Sequence, residues 1–240
     1  MAKKPFHVTV LTLFPEMFPG PLGFSLAGKA LEEGKWKLDT VQIRDFAKSK
    51  HKTVDDTPYG GGAGMVMRPD VVAEVIDSLS GAPKLYYMSP RGEVLTQRKT
   101  TEILSYDHIA ILCARFEGVD QRVLDEYGIE ELSVGDYILS GGEIAAFCVI
   151  DACIRQHSGV IGNPQTLAEE SFSAGEYAHL LEYPLYTRPA EWRGIHVPEV
   201  LRSGDHQAVD AWRLAQAEAV TKVRRKDLWE KRKKRMMDDR

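Results

Sequence analysis

The stretch Ser133-Val134-Gly135-Asp136-Tyr137-Ile138-Leu139-Ser140-Gly141-Gly142-Glu143 has the residue types of a ligand loop. It reads as a short strand, a polar turn with paired glycines, and the start of a helix running from about Glu143 to His157. Paired glycines let the backbone take positive φ and approach a bound molecule closely. The first turn of the helix turns free N–H groups toward that molecule. Such a loop suits a polar cofactor, although an ordinary strand-to-helix turn carries the same signature. It is not a dinucleotide fingerprint, because no G-x-G-x-x-G is present.

A second loop has the same character. Pro58-Tyr59-Gly60-Gly61-Gly62-Ala63-Gly64-Met65 holds four glycines in five positions. It lacks the Gly-Lys-Ser/Thr ending of a phosphate-binding loop, which excludes that class of NTPase. A flexible surface loop and a loop working against substrate or cofactor both remain open.

The elements that must position these loops alternate between strand and helix. His7–Leu13 reads as a buried strand and Leu22–Gly34 as a helix with Gly34 as its cap. Leu38–Ile43 alternates as a strand. Pro69–Leu79 has helical spacing through Val72, Val75, Ile76 and Leu79, with proline well placed at its start. Lys84–Met88 is a strand ending at Ser89-Pro90-Arg91-Gly92, and Thr96–Leu104 is a helix. His108–Ala114 is a continuous apolar strand of the kind covered on both faces. Asp120–Tyr127 is a short helix stopped by Gly128. This alternation predicts an α/β fold with a mainly parallel sheet. The strand ends at Met88, Ala114 and Leu139 are each followed by polar or glycine-containing loops. In open α/β sheets ligands bind at the carboxyl ends of strands.

The polar segment Gly162–Gly175 lacks periodicity and reads as a linker. Beyond it, Val209, Trp212, Gln216, Ala219 and Val223 follow a helical spacing. The expected organisation is a catalytic domain over 1–161, a linker over 162–179 and a small helical domain over 180–240.

The chain has 240 residues and a net charge of −4, so it is not a basic nucleic-acid binder as a whole. The charge is uneven. Between Lys222 and Arg235 nine Lys or Arg stand against Asp227 and Glu230. That run fits an arm contacting phosphates, or a solvated terminus. Cys113, Cys148 and Cys153 form no C-x-x-C and sit among apolar neighbours, which reads as reduced core thiols of a cytoplasmic protein. The seven histidines show no metal-ligand spacing. The apolar run near the start is short and meets Pro15, so it reads as a strand rather than a signal peptide. No apolar stretch approaches the ~20 residues of a membrane span.

Seven motifs occur in a specific order: Leu13-Phe14-Pro15-Glu16-Met17-Phe18, Thr53-Val54-Asp55-Asp56, Pro58-Tyr59-Gly60-Gly61-Gly62, Ser89-Pro90, Arg115-Phe116-Glu117-Gly118, Val134 to Glu143, and Tyr186-Thr187-Arg188-Pro189. Together they resemble the bacterial tRNA (guanine-N1-)-methyltransferase family, which modifies the guanosine at position 37, beside the anticodon. The resemblance covers nearly the whole chain. It implies the SPOUT fold, with a deep trefoil knot, an obligate homodimer and tRNA as partner. Chains are ordinarily unknotted, so this would be an exception.

The resemblance further implies that S-adenosylmethionine lies against Tyr87, Ser89 and Pro90, then Ala114, Glu117 and Gly118, then Val134, Gly135, Asp136, Tyr137, Ile138, Leu139, Gly141 and Gly142. A carboxylate at Glu117 can balance the sulfonium charge or hold a magnesium ion. Guanine N1 carries a proton at neutral pH, so attack on a methyl group needs a general base. The family places an aspartate before Ser-Phe in the linker. This chain has Glu169-Glu170-Ser171-Phe172, so the implied base is Glu170, one methylene longer, with Glu169 as the alternative. Arg155 matches the family's catalytic arginine and can stabilise charge growing on guanine O6. Glu182 matches a further acidic position near the target base. Ala114 and Ala145 stand where glycine and proline are usual. The linker is about four residues longer near Glu176–His179, and Asp205 replaces an asparagine.

Overall fold

The computed structural model describes residues 4–163 and 165–238; within the expected linker, Pro164 lies outside the described residues. The chain divides into two compact units, Met1–Gly162 and Asn163–Arg240. Among the described residues no helix is long and apolar enough to cross a membrane.

In the first unit the order is β1 (Phe6–Thr12), α1 (Ser25–Glu32), β2 (Trp36–Gln42), a ribbon of β3 (Asp55–Asp56) and β4 (Val66–Met67), α2 (Pro69–Asp77), β5 (Lys84–Val94), α3 (Gln97–Ile103), β6 (His108–Leu112), α4 (Gln121–Glu126), β7 (Glu130–Ser133) and α5 (Gly142–Ile154). Five of these strands form a parallel sheet in the order β2-β1-β6-β5-β7. Successive side chains of a strand point to opposite faces, so each strand feeds two cores. Val8 and Val10, Tyr86 and Met88, and Ile109 and Ile111 pack with Ala146, Val149, Ile150 and Ile154 of α5. Leu11, Tyr87, Leu112 and Ala114 pack on the other face with Val71, Val72 and Val75 of α2 and Leu124 of α4. Covering on both faces is why β6 reads as an unbroken apolar run.

Three expectations about elements are corrected. The segment Leu22–Gly34 is not one helix: a 3-10 turn over Gly20–Gly23 precedes α1. A Cβ on Gly28 would stand 2.2 Å from the Gly23 carbonyl oxygen, so the turn folds back onto α1 at a position without a side chain. The strand through Tyr86 does not stop at Met88. Both Met88 and Glu93 pair with Leu132 of β7, so Ser89–Gly92 leaves the ladder and the chain then rejoins it. Ser-Pro-Arg-Gly carries turn chemistry, which describes the bulge but hides the return. Leu139 ends no strand: β7 stops at Ser133, and Val134–Gly141 is a loop.

The return of β5 is secured by charge. Lys99 on α3 is only 4% exposed and meets Glu93 at 3.2 Å, Glu102 at 2.9 Å, and Glu130 of β7. Glu130 also meets Lys84 at 3.1 Å. Burial opposes the charge on Lys99, but hydrogen bonds to Glu130, Glu102 and Glu93 outweigh it and raise its pKa. A buried charge persists only when paired in this way.

In the second unit the linker segment is not featureless. It carries α6 (Thr166–Glu169) and a 3-10 turn over Gly175–Tyr177. A small ribbon follows, β8 (Glu191–Trp192) with β9 (Ile195–His196), and then α7 (His206–Arg224) and α8 (Lys226–Asp238). Asp205 accepts from the Ala208 N–H at 3.1 Å and so caps α7. Aspartate and asparagine are equivalent caps, so the departure at Asp205 keeps this role. The buried face of α7 differs from the one expected. Ala217 and Thr221 are buried and Val223 is exposed, because Leu180, Tyr183 and Trp229 pack where small residues leave room. The Thr221 hydroxyl donates to the Ala217 carbonyl and accepts from the Leu181 N–H at 2.8 Å.

Candidate active site

At the mid-strand bulge of β5 and the carboxyl ends of β6 and β7 the first unit has a cleft of about 270 Å³. Its walls come from Tyr87–Pro90, Ala114–Gly118, Leu132–Gly135, Tyr137–Gly142 and Ala145. Of the residues implied for cofactor binding, Asp136 is exposed in the loop and does not line the cleft; the other thirteen do. Arg115, Phe116 and Ser140 also line it.

Close backbone approach explains where glycine is required. A Cβ on Gly142 would lie 2.8 Å from the Cys113 Cα, and one on Gly118 would lie 2.8 Å from the Tyr87 hydroxyl. Gly118 also has φ +118°. The Gly142 N–H donates to the Ala114 carbonyl at 3.1 Å, which ties the start of α5 to the loop after β6. Ala114 is not among the positive-φ residues, so alanine fits there without strain.

One ion pair underlies this junction. Glu143, in the first turn of α5, is 1% exposed and lies 3.0 Å from the Arg115 guanidinium. The Thr12 hydroxyl donates to its other oxygen at 2.7 Å. Arg115 in turn donates to the Ser140 carbonyl at 3.3 Å and covers the Phe14 ring at 4.4 Å. Carboxylate near a helix N-terminus is favourable, and the cation beside it completes the neutralisation. Spacing could not reveal a contact across 131 residues; the sequence signal was a carboxylate in the first turn of a largely apolar helix. Burial, with Glu143 nearby, pushes the Cys113 thiol pKa well up, so it stays neutral. Cys153 is buried too, but Cys148 is exposed on α5 and is not the core thiol expected.

Glu117 stands exposed at the mouth of the cleft. Its N–H donates to the Met65 carbonyl at 2.8 Å. A Cβ on Gly64 would come within 2.5 Å of the Glu117 side chain, so the glycine loop packs on this carboxylate. Gly60, Gly61 and Gly62 all have positive φ and open space around them. Among the described residues no group of three or more His, Cys, Asp or Glu could hold a metal ion.

None of the remaining candidates is among the residues that line the cleft. Arg155 caps the carboxyl end of α5, which ends at Ile154, short of His157. Glu170 is the extended residue ending α6, in the second unit. Glu169 beside it accepts from the Tyr183 hydroxyl at 2.7 Å and pairs with Arg213 at 3.2 Å. The Glu182 N–H donates to the Ser171 hydroxyl at 2.9 Å.

The basic run is divided in use. Arg232 is buried, donating to the Glu176 carbonyl at 2.8 Å and pairing with Glu218 at 3.2 Å. Arg225 pairs with Asp227 and Lys233 with Glu230. Lys222, Arg224, Lys226, Lys231 and Lys234 are exposed.

The sequence profile described as tRNA (Guanine-1)-methyltransferase TrmD matches residues 6–231. Relatives named tRNA (guanine-N(1)-)-methyltransferase from Brucella ovis and Brucella melitensis biotype 1 are each 58% identical over 225 residues, covering 94% of this chain and 92% of theirs. One from Brucella suis (strain ATCC 23445 / NCTC 10510) is 58% identical over 225 residues, covering 94% of this chain and 91% of its own.

Proposed function

The chain belongs to the tRNA (guanine-1)-methyltransferase family, and from that premise we propose how its own residues methylate the guanosine at position 37 of tRNA. The reaction is methylation of tRNA guanine at N1. The single observation that carries the mechanistic reading is the cleft at the β5 bulge and the ends of β6 and β7, walled by backbone and by glycines at which a side chain would collide.

The cleft suits S-adenosylmethionine. Backbone groups of Tyr87–Pro90 and Val134–Leu139 offer hydrogen bonds to an adenine edge, and Tyr137, Ile138 and Leu139 offer apolar cover. When bound, this donor supplies an electrophilic methyl group. Glu117, at the mouth, would balance the sulfonium charge or would supply a carboxylate to a magnesium ion. The bulge of β5 and the loops after β6 and β7 form the deep trefoil knot of the SPOUT fold.

Glu170 acts as general base and removes the N1 proton. Arg155 stabilises the negative charge that then grows on O6. Glu182 helps hold the base, and in-line alignment of the two reactants supplies much of the rate. Glu170 is the residue that aligns with the family's linker aspartate, while the Glu169 Oε2 accepts from Tyr183 and Arg213. The second unit contributes its exposed cations to tRNA phosphates.

The working form is a homodimer in which each site uses the cofactor loops of one protomer and the linker of its partner. The surface of α5 supports this. The helix is apolar nearly all round, with Ile144 50% exposed and Cys148 exposed one turn later. Helices apolar on every side are normally buried.

The test is transfer of labelled methyl from S-adenosylmethionine to unmodified tRNA with guanosine at position 37, beside the same tRNA with adenosine there. Label on the guanosine form alone is the expected result. Equal label on both would move the target to another position.

A further inference from the structure

We infer that Glu169, Tyr183 and Arg213 form a positioning latch that presents Glu170 to the guanine. The inference rests on the reading of Glu170 as the general base. The helix α6 that carries Glu169 has only four residues, too few to be held by its own hydrogen bonds. Its carboxyl end is nevertheless fixed from several sides within the second unit. Glu169 Oε2 accepts from the Tyr183 hydroxyl at 2.7 Å and from the Arg213 guanidinium at 3.2 Å. Arg213 belongs to α7, also meets Asp210 at 3.6 Å, and lies 5.1 Å over the Tyr183 ring. Tyr183 is buried and packs with Leu180 and Ala217, so the partner of Glu169 is held in the small core of the unit.

On the far side of Glu170 the backbone is tied to the same strip of chain. The Phe172 N–H donates to the Leu180 carbonyl at 3.0 Å, and the Glu182 N–H donates to the Ser171 hydroxyl at 2.9 Å. The Ser173 hydroxyl donates to the Ala168 carbonyl at 2.7 Å and closes the turn around Glu170. Phe172 sits at φ +66°, a conformation a non-glycine residue keeps only when its surroundings impose it. Glu170 is therefore the extended residue between two anchored flanks, with φ −73° and ψ 164°. The longer linker is anchored separately, through Arg232 and Arg235 on α8 to the Glu176 and Gly175 carbonyls, each at 2.8 Å.

Glu169 thus acts through its neighbour and not on the substrate. A general base must come within hydrogen-bond reach of its proton, and misplacement by about 1 Å costs about a hundredfold in rate. Glutamate at position 170 has one more rotatable bond than aspartate, so its backbone must be held more firmly for the same placement.

The experiment measures single-turnover methyl transfer to tRNA across about pH 6 to 9, with cofactor affinity and backbone hydrogen exchange, for Glu169→Ala, Glu169→Gln, Tyr183→Phe and Glu170→Gln in the full chain. Tyr183→Phe keeps the buried ring and so guards against loss of fold. Glu169→Ala and Tyr183→Phe should slow transfer about tenfold to a hundredfold. Cofactor affinity and the pH inflection of the base should stay as they are, while exchange at Phe172 and Glu182 quickens. Glu169→Gln keeps an acceptor for both donors and should retain most of the rate. Glu170→Gln should remove both rate and inflection. Unchanged rates in Glu169→Ala and Tyr183→Phe, with Glu170→Gln inactive, would overturn the latch and leave the base assignment standing. An active Glu170→Gln would overturn the base assignment. If Glu169→Ala were then inactive and had lost the inflection, Glu169 would be the base and the latch would fall with it.

Discussion

The Arg115 guanidinium lies 3.0 Å from the Glu143 carboxylate, joining the loop after β6 to the first turn of α5 beside the cleft. Glu143 is almost fully buried while Arg115 keeps some exposure, so the two are not equivalent. Removing the arginine strands a charge in the interior. Arg115→Ala should cost about 2–4 kcal/mol of stability, below the full range for a wholly buried pair because water reaches the arginine. Arg115→Met combined with Glu143→Gln should recover part of that loss. Urea unfolding of the two variants checks both signs; a double variant less stable than Arg115→Ala would contradict the pairing.

Gly142→Ala sets helix propensity against sterics. Alanine in place of glycine ordinarily favours a helix by about 1 kcal/mol. Here the new Cβ would sit 2.8 Å from the Cys113 Cα and 3.3 Å from the Ala114 nitrogen, neither of which can swing away. The loops must part, and S-adenosylmethionine should bind at least about tenfold more weakly. Calorimetric titration measures this, and wild-type affinity would mean that the cleft does not need this contact.

Ile144→Glu places a charge on the exposed apolar face of α5. If that face joins two copies, the variant should sediment as a folded monomer and lose methyl transfer. A dimer with full activity would place the interface elsewhere.

At the opposite end of the sheet, His7 and His108 stack with ring centroids 3.9 Å apart. His7 meets Asp39 at 2.6 Å and His108 meets the Thr9 hydroxyl at 2.9 Å. Lys4, Lys37 and Asp107 line the same hollow. Burial, and then the neighbouring His7, lower the His108 pKa from its ordinary 6.5, while Asp39 opposes them. The unfolded chain therefore binds the proton more readily than the folded one. The contribution is complete above about pH 6.5 and declines as pH falls through the lowered folded value. His108→Gln should flatten the fall in unfolding midpoint between about pH 7 and pH 5. An unchanged slope would assign it to other groups.

Much of this protein was legible in the chain. Apolar runs and turn residues fixed the alternation of strands and helices, because burial on both faces demands such runs whatever the topology. Glycine pairs marked the cleft loops, because only a missing Cβ allows two backbones to approach so closely. Seven ordered motifs pointed to the family. Other features were open only to the folded molecule. The return of β5 beside β7, the Thr12–Glu143–Arg115 junction and the engagement of Glu169 by Tyr183 and Arg213 all join residues far apart in sequence. Local pattern encodes which face of an element is apolar; it does not encode which distant partner meets a buried charge. That choice belongs to the tertiary structure, where a polar group taken out of water must find its counterpart or the arrangement is not stable.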